Sequence, residues 1–232
     1  MELEIINRVV NPSTKKDITN LKQQFDRIGY IKLPSFFTPS VFNKIEVEVN
    51  NLLDTFALRK DFLMEETNNT PRRITTVSGK VIDQESTFIT SLYKNEEIID
   101  FITKITNNSI CLTPDMADRH AIHKLHKKND IHGGHLDTYP YVLITCFESP
   151  GKDGGGELEF VPKSMDLSEL GTDKAITDYL EKGESYLMNA SHSVHRVLPL
   201  KEDLNRTVLV FTYADLATKD VDISYSSNKL YD

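Results

Sequence analysis

The sequence predicts an α+β fold in which a helical layer packs on one side of a β-sandwich or barrel. Three observations predict it. Apolar residues recur at helical spacing up to about residue 106. From about residue 120 the rhythm changes to short β-branched and aromatic runs broken by turns. All seven histidines lie in that second half, between His120 and His195. The 232 residues suit one domain, read as a mainly helical flank over 1–115, a strand-rich core over 116–215 and a tail over 216–232.

Ile18, Leu21, Phe25 and Ile28 mark a helix over 15–29 that stops at Gly29. Tyr30-Ile-Lys-Leu33 then reads as a short strand closed by Pro34. Thr38-Pro39-Ser40 opens a second helix over 40–57, with Val41, Ile45, Val49 and Leu52/Leu53 on one face. The polar stretch 65–80, around Asn68-Asn69-Thr70-Pro71-Arg72-Arg73, reads as a long loop of the kind that carries function. Ile98, Ile99, Phe101, Ile102 and Ile105 predict a third helix over 95–106. Strands follow at 120–126, 139–147, 157–161, 185–188, 195–198 and 207–213. The last two are expected to pair as a hairpin through Lys201-Glu-Asp-Leu-Asn205, and the polar stretch 217–232 to form a loosely held tail.

Composition narrows the function. Lys and Arg number 27 against 35 Asp and Glu, a net charge of −8, which argues against a phosphate-backbone binder and so against a nucleic-acid partner. No run approaches the length of a membrane span, and Met1 onward shows no basic-then-apolar leader, so no membrane partner and a cytoplasmic location are expected. Cys111 and Cys146 are too few for a disulfide framework and are expected to be free thiols. There is no Trp.

The chemistry concentrates in His132-Gly-Gly-His135-Leu136-Asp137. In an extended chain His135 and Asp137 project to the same side, so imidazole and carboxylate can share one metal ion. His192-Ser-Val-His195 offers a third ligand. His195 fits better than its rival His192, because Arg206 follows it by eleven positions rather than fourteen. Two His and one carboxylate on one octahedral face make the facial triad of non-heme Fe(II) oxygenases, which keeps open positions for co-substrate and O2. Alone, a His-x-Asp is common by chance, and Arg206 alone reads as a surface cation. Together they reinforce one another, since a guanidinium there can fork onto a carboxylate near the metal.

His135-x-Asp137, His195 and Arg206 together resemble the Fe(II)/2-oxoglutarate-dependent dioxygenase pattern over roughly 120–213, with Gly155-Gly156-Glu157-Leu158 in a matching turn. The resemblance implies a double-stranded β-helix (jelly-roll) core flanked by the N-terminal helices, with Fe(II), 2-oxoglutarate and O2 as cofactor and co-substrates. It places the distal carboxylate of 2-oxoglutarate on Arg206, with His123 either in that pocket or in the core. Asn69-Thr-Pro-Arg-Arg73, His132-Gly133 and His195-Arg-Val-Leu-Pro199 are similar to the small amino-acid radical halogenases and their hydroxylating relatives, which act on free lysine and like molecules. Halogenating members carry Gly where Asp137 stands, so hydroxylation is implied.

This branch implies Arg72 or Arg73 as a clamp for a substrate carboxylate, with solvated loop arginines as the alternative. It brings Asp118 and Thr138 to the substrate as well, with His132 either contacting the same substrate or orienting the metal shell. Thr212 shares a strand face with Arg206, Val208 and Val210 and matches a substrate-contacting Thr, a plain cross-strand Thr being the alternative. The expected partner is a small molecule, a free amino acid; a homodimer stays open. Two other functions compete: an oxygenase of the same fold acting on a protein or peptide side chain, and a non-redox metal-binding jelly roll of cupin type, which has no need of the Arg206 clamp.

Overall fold

Helices form where the capping signals stand. The structure, a computed structural model, describes residues 8–231, so the N-terminal residues 1–7 of the leader reading and Asp232 lie outside it. The stretch predicted as one helix is two pieces, α1 (Pro12–Lys16) and α2 (Ile18–Ile28), parted at Asp17. Gly29 ends α2 with φ 67°, and its N–H donates to the Phe25 carbonyl. After β1 (Tyr30–Leu33), Pro39 sits in the first turn of α3 (Pro39–Phe56), which buries Val41, Ile45, Val49 and Leu52.

The predicted loop over 65–80 is instead largely the return arm of a hairpin, β2 (Leu58–Met64) and β3 (Thr70–Val77), paired from Leu58↔Thr76 to Met64↔Thr70. Asn68 and Asn69, both at positive φ, form the turn that reads as loop in the sequence. Two short helices were also not expected: α4 (Gly79–Glu85) and α5 (Thr87–Tyr93), capped by the side chains of Ser78 and Ser86. They precede α6 (Glu96–Thr106), which Asn95 caps and which buries Ile98, Phe101, Ile102 and Ile105.

The remaining strands are β4 (Cys111–Leu112), β5 (His120–Leu125), β6 (Ile131–His135), β7 (Tyr141–Glu148), β8 (Leu158–Phe160), β9 (Ile176–Asp178), β10 (Ser185–Asn189), β11 (His195–Val197) and β12 (Arg206–Ala214). All pairings are antiparallel, in the order β1-β10-β7-β12-β5-β3-β6-β11-β8-β9. The sheet curls into a jelly roll, so that the limb β6-β11-β8-β9 faces the limb β10-β7-β12-β5. Between the limbs Leu158 and Phe160 pack with Val142, Tyr186, Val208 and Val210. On the outer face Leu143, Leu187, Leu209, Phe211 and Tyr213 meet the helices through Val41, Ile45, Phe101 and Ile102. Burying each such large side chain contributes about 1.5–3 kcal/mol, and this is the larger of the two layers.

Two further expectations change. β11 and β12 are not a hairpin: β11 lies between β6 and β8, and β12 between β5 and β7. The 201–205 segment crosses from one limb to the other, so Arg206 approaches from the wall opposite His195. The expected tail carries a helix, α7 (Ser224–Tyr231), whose Leu230 and Tyr231 are buried against Ile74, Ala117 and Leu125. The Thr76 hydroxyl donates to the Leu230 carbonyl. Cys111 and Cys146 are both free. Among the described residues no helix is long and apolar enough to cross a membrane.

Candidate metal and co-substrate site

β6 and β11 run side by side with His135 directly opposite His195. Their rings lie 4.2 Å apart, centroid to centroid. Asp137 follows just past the end of β6 rather than within it, held by its N–H donating to the Ala190 carbonyl at 3.1 Å. Its Oδ1 lies 3.4 Å from His135 Nε2 and 3.8 Å from His195 Nε2. One ligand atom from each of the three falls within 4.8 Å of the others.

The tautomers follow from hydrogen bonding. His135 Nδ1 lies 2.8 Å from the Gly133 carbonyl and His195 Nδ1 lies 3.0 Å from the Ser193 carbonyl. A carbonyl only accepts, so both Nδ1 atoms carry a proton, and both Nε2 atoms face Asp137. Burial, then the nearby His195 and Arg72, hold the His135 pKa well below the usual range, so the ring is neutral. Burial pushes the Asp137 carboxyl up, against the pull of His195 and Arg72. Two imidazoles presenting Nε2 and a carboxylate, with no protein donor satisfying the carboxylate among the described residues, fit a divalent first-row metal.

A cavity of about 230 Å³ opens from this trio between the limbs. Arg206, 7 % exposed, lines it and makes no hydrogen bond or ion pair with any described residue. A buried cation without a counter-ion is costly unless an anion joins it, so Arg206 fits a carboxylate ligand. Thr212, Val210 and Val208 line the same wall, as the alternation along β12 requires.

Arg72 on β3 also lines the cavity, 2 % exposed. One guanidinium nitrogen donates to Thr70 Oγ1 at 3.0 Å and to the Pro71 and Gly133 carbonyls at 3.2 Å, while Nε has no partner. Burial lowers its pKa to about 10, so it stays charged at neutral pH. The neighbouring Arg73 projects to the outer face, 48 % exposed and 3.6 Å from Asp61, and is not part of the cavity. β3 approaches β6 closely here: a Cβ on Gly133 would stand 2.7 Å from the Pro71 carbonyl oxygen.

His132, stacked on His135 at 4.5 Å between centroids, lines the cavity with His123, Asp118 and Thr138. His123 Nε2 lies 3.0 Å from Tyr231 Oη, and that phenol donates to Asp118 Oδ1 at 3.3 Å. Burial lowers the His123 pKa to about 3, helped by Arg206 and Arg72. Burial raises Asp118 well above the usual carboxylate range, reinforced by Asp137 and Asp115. His192 is exposed and bonded to Ser191 at 2.7 Å, outside the cavity, so it does not join His135 and Asp137.

Tyr186, Leu230 and Tyr231 are among the cavity residues that sequence reasoning passed over. Tyr186 projects inward from β10, a direction that the inward Met188 and outward Leu187 on the same strand imply. Leu230 and Tyr231 come from α7, whose polar sequence gives no such signal.

The comparisons agree on the architecture. The chain resembles the non-heme α-ketoglutarate-dependent epimerase SnoN from nogalamycin biosynthesis (15 % identity, 87 % of this chain and 83 % of that one, TM-score 0.66). It also resembles a 2OG-Fe(II) oxygenase family oxidoreductase from Burkholderia pseudomallei (16 % identity, 85 % and 90 %, TM-score 0.62). HygX from Streptomyces hygroscopicus, solved with nickel, 2-oxoglutarate and hygromycin B, is similar as well (14 % identity, 88 % and 90 %, TM-score 0.61). No curated protein matches the chain. At such identities the structures speak for the fold alone, whereas the sequence model described as Halogenase D matches residues 13–231, across the helical layer, the roll and α7. The chain therefore belongs to the Halogenase D family.

Proposed function

We propose that the protein is an Fe(II)- and 2-oxoglutarate-dependent oxygenase that hydroxylates an unactivated C–H bond of a small molecule, a free amino acid such as lysine or a relative. The observation that carries the reading is the pairing of the His135–Asp137–His195 trio with an unpartnered, buried Arg206 in one cavity. A cupin-type metal protein has no use for the second element.

Iron, 2-oxoglutarate and O2 supply the oxidising chemistry when bound. His135 and His195 would hold the metal through Nε2 and Asp137 through its carboxylate, a donor set that would leave positions free for other ligands. Arg206 receives the distal carboxylate of 2-oxoglutarate, with His123 at the edge of the same pocket. Val208, Val210, Ile144 and Leu158 keep the neighbouring space free of water. Arg72 is the clamp for a substrate carboxylate, and Asp118, with His132, Thr138 and Thr212, faces the rest of the substrate. Hydroxylation rather than halogenation follows from Asp137, whose carboxylate occupies the place a halide would need, although the family takes its name from halogenases. A cavity of about 230 Å³ is below the roughly 300–1,000 Å³ of drug-sized ligand sites, which favours a small substrate over a peptide.

The test is succinate formation from 2-oxoglutarate with Fe(II) and ascorbate, surveyed over free amino acids. The expected result is amino-acid-dependent succinate with a product heavier by one oxygen atom. No succinate with any candidate, together with no anaerobic binding of 2-oxoglutarate, would overturn the proposal.

A further inference from the structure

Arg72 is held mainly from one end. Its Nη1 donates to Thr70 Oγ1 at 3.0 Å and to the Gly133 carbonyl at 3.2 Å. Nη2 has only Thr67 Oγ1 at 3.4 Å, and Nε has no partner. Thr70 and Arg72 stand two apart on β3 and so share a face, yet only Arg72 lines the cavity. The Thr70 hydroxyl donates to the Gly134 carbonyl at 2.9 Å. A hydroxyl has one proton, so in the 2.6 Å contact between the two threonines Thr67 is the donor. Thr70 Oγ1 thus accepts from Thr67 and Arg72 while its own proton is tied to β6. β6 is also the strand of His135. The Gly133 carbonyl that receives Arg72 Nη1 receives His135 Nδ1 as well, at 2.8 Å. Two successive carbonyls of β6 therefore connect Arg72 and Thr70 to the His135–Asp137–His195 trio.

We infer that Thr70 is a positioning residue: it fixes the Arg72 guanidinium against β6 and thereby sets which carbon of a carboxylate-anchored substrate faces the trio. The inference rests on the oxygenase reading above, with Arg72 as the carboxylate clamp. An arginine side chain is long and rich in rotamers, so its head keeps one place only where hydrogen bonds hold it. The bonds to Thr70 and Gly133 take Nη1, and the Nε–Nη2 edge is left for the two oxygens of a carboxylate. A free amino acid anchored at its carboxylate presents its carbons in chain order. A small shift of the anchor therefore exchanges one C–H bond for its neighbour at the reacting position. Thr70 does not line the cavity, so it acts through Arg72 and not on the substrate.

The experiment uses Thr70→Val, which keeps the shape and removes the hydroxyl, with Thr70→Ser as the conservative control. The probe is L-lysine, and 1,5-diaminopentane is the matching amine without the carboxylate. If another amino acid leads the succinate survey, that amino acid and its decarboxylated amine take their place. Binding is read by anaerobic calorimetry of the protein loaded with Fe(II) and 2-oxoglutarate. In Thr70→Val the amino-acid Kd is expected to rise about three- to tenfold, as for one lost hydrogen bond. The Kd values for the amine, Fe(II) and 2-oxoglutarate stay within about twofold of wild type, since none of them uses Arg72. In air the variant should form more succinate than hydroxylated product and move hydroxylation to a neighbouring carbon, and Thr70→Ser should restore both. Thr67→Val removes a donor to Thr70 Oγ1 and leaves the bond to Gly134; it should move the same readouts in the same direction. It decides the matter if Thr70→Val does not fold. An unchanged amino-acid Kd, an equal loss for the amine, wild-type product position and coupling, or no rescue by Thr70→Ser would each overturn the inference and leave the oxygenase reading standing. Wild-type protein that forms no succinate with any amino acid would overturn that reading and this inference with it.

Discussion

Gly156 lies against the stem of Arg206: a Cβ built on Gly156 would stand 3.0 Å from Arg206 Cδ, and Gly156 itself sits at φ 75°. The stem of Arg206 thus occupies space that any side chain at position 156 would crowd. Gly156→Ala is expected to cost about 1–3 kcal/mol through backbone strain and to displace Arg206. The measurement is the urea midpoint together with the anaerobic Kd for 2-oxoglutarate, and both should worsen. A variant that loses stability and keeps its 2-oxoglutarate affinity would show that Arg206 tolerates the intrusion.

His195 and His192 give opposite expectations. His195→Ala should lower Fe(II) affinity by at least the roughly 10–100-fold typical of disturbed metal shells, whereas His192→Ala should bind iron as wild type does. Anaerobic Fe(II) titration of the two proteins decides. Full iron content in His195→Ala would remove that histidine from the site.

Replacing Asp137 with Gly tests the choice between hydroxyl and halide. The variant should lose hydroxylation by about a hundredfold or more, as expected when a metal loses one of its own ligands. In the presence of chloride, product mass would report whether the vacated position accepts it. Undiminished hydroxylation would show that Asp137 is not a ligand.

Acid sensitivity is expected from a histidine far from the cavity. His120 is fully buried, stacked on Tyr93 and 3.3 Å from Asp83 Oδ1, with Thr90 at 3.2 Å and Arg119 and Lys94 as the facing cations. Burial lowers its pKa from 6.5 to about 4, in spite of Asp83. The unfolded chain therefore binds more protons than the folded one between these values. The stabilising contribution is complete above pH 6.5 and is lost as pH falls towards 4. Its size is on the order of 3 kcal/mol. Urea midpoints at pH 7.5 and pH 5 should fall further apart in the wild type than in His120→Gln. Equal differences would place the titration at other buried histidines.

The His135–Asp137–His195 cluster is legible in part because His135 and Asp137 stand two apart, while His195 lies far down the chain and is marked only by its spacing from Arg206. The cavity face of β12 is legible too, since Arg206, Val208, Val210 and Thr212 alternate strictly. β3 is not, because its cavity face carries polar Thr70 and Arg72 and its outer face the solvated Arg73, so no apolar period betrays a strand. The pairing of β11 is hidden for another reason. Three residues of strand cannot say which neighbours they take, and a short connecting turn reads equally as a hairpin or as a crossing between limbs. α7 is fixed by contacts of Leu230 and Tyr231 with residues more than a hundred positions upstream, which no local pattern records.

The setting of His135 opposite His195 bears on the order of assembly. Both imidazoles stand on paired strands and are aimed by carbonyls of their own backbone, while the larger apolar layer lies on the far side of the sheet. Strand pairing and these backbone carbonyls alone set the two imidazoles side by side. The ion is then expected to add to a site the fold already forms, unlike the metal of a zinc finger, whose removal unfolds the chain. A chelator should strip such a protein without denaturing it, and reloading should be as fast as diffusion into the cavity allows.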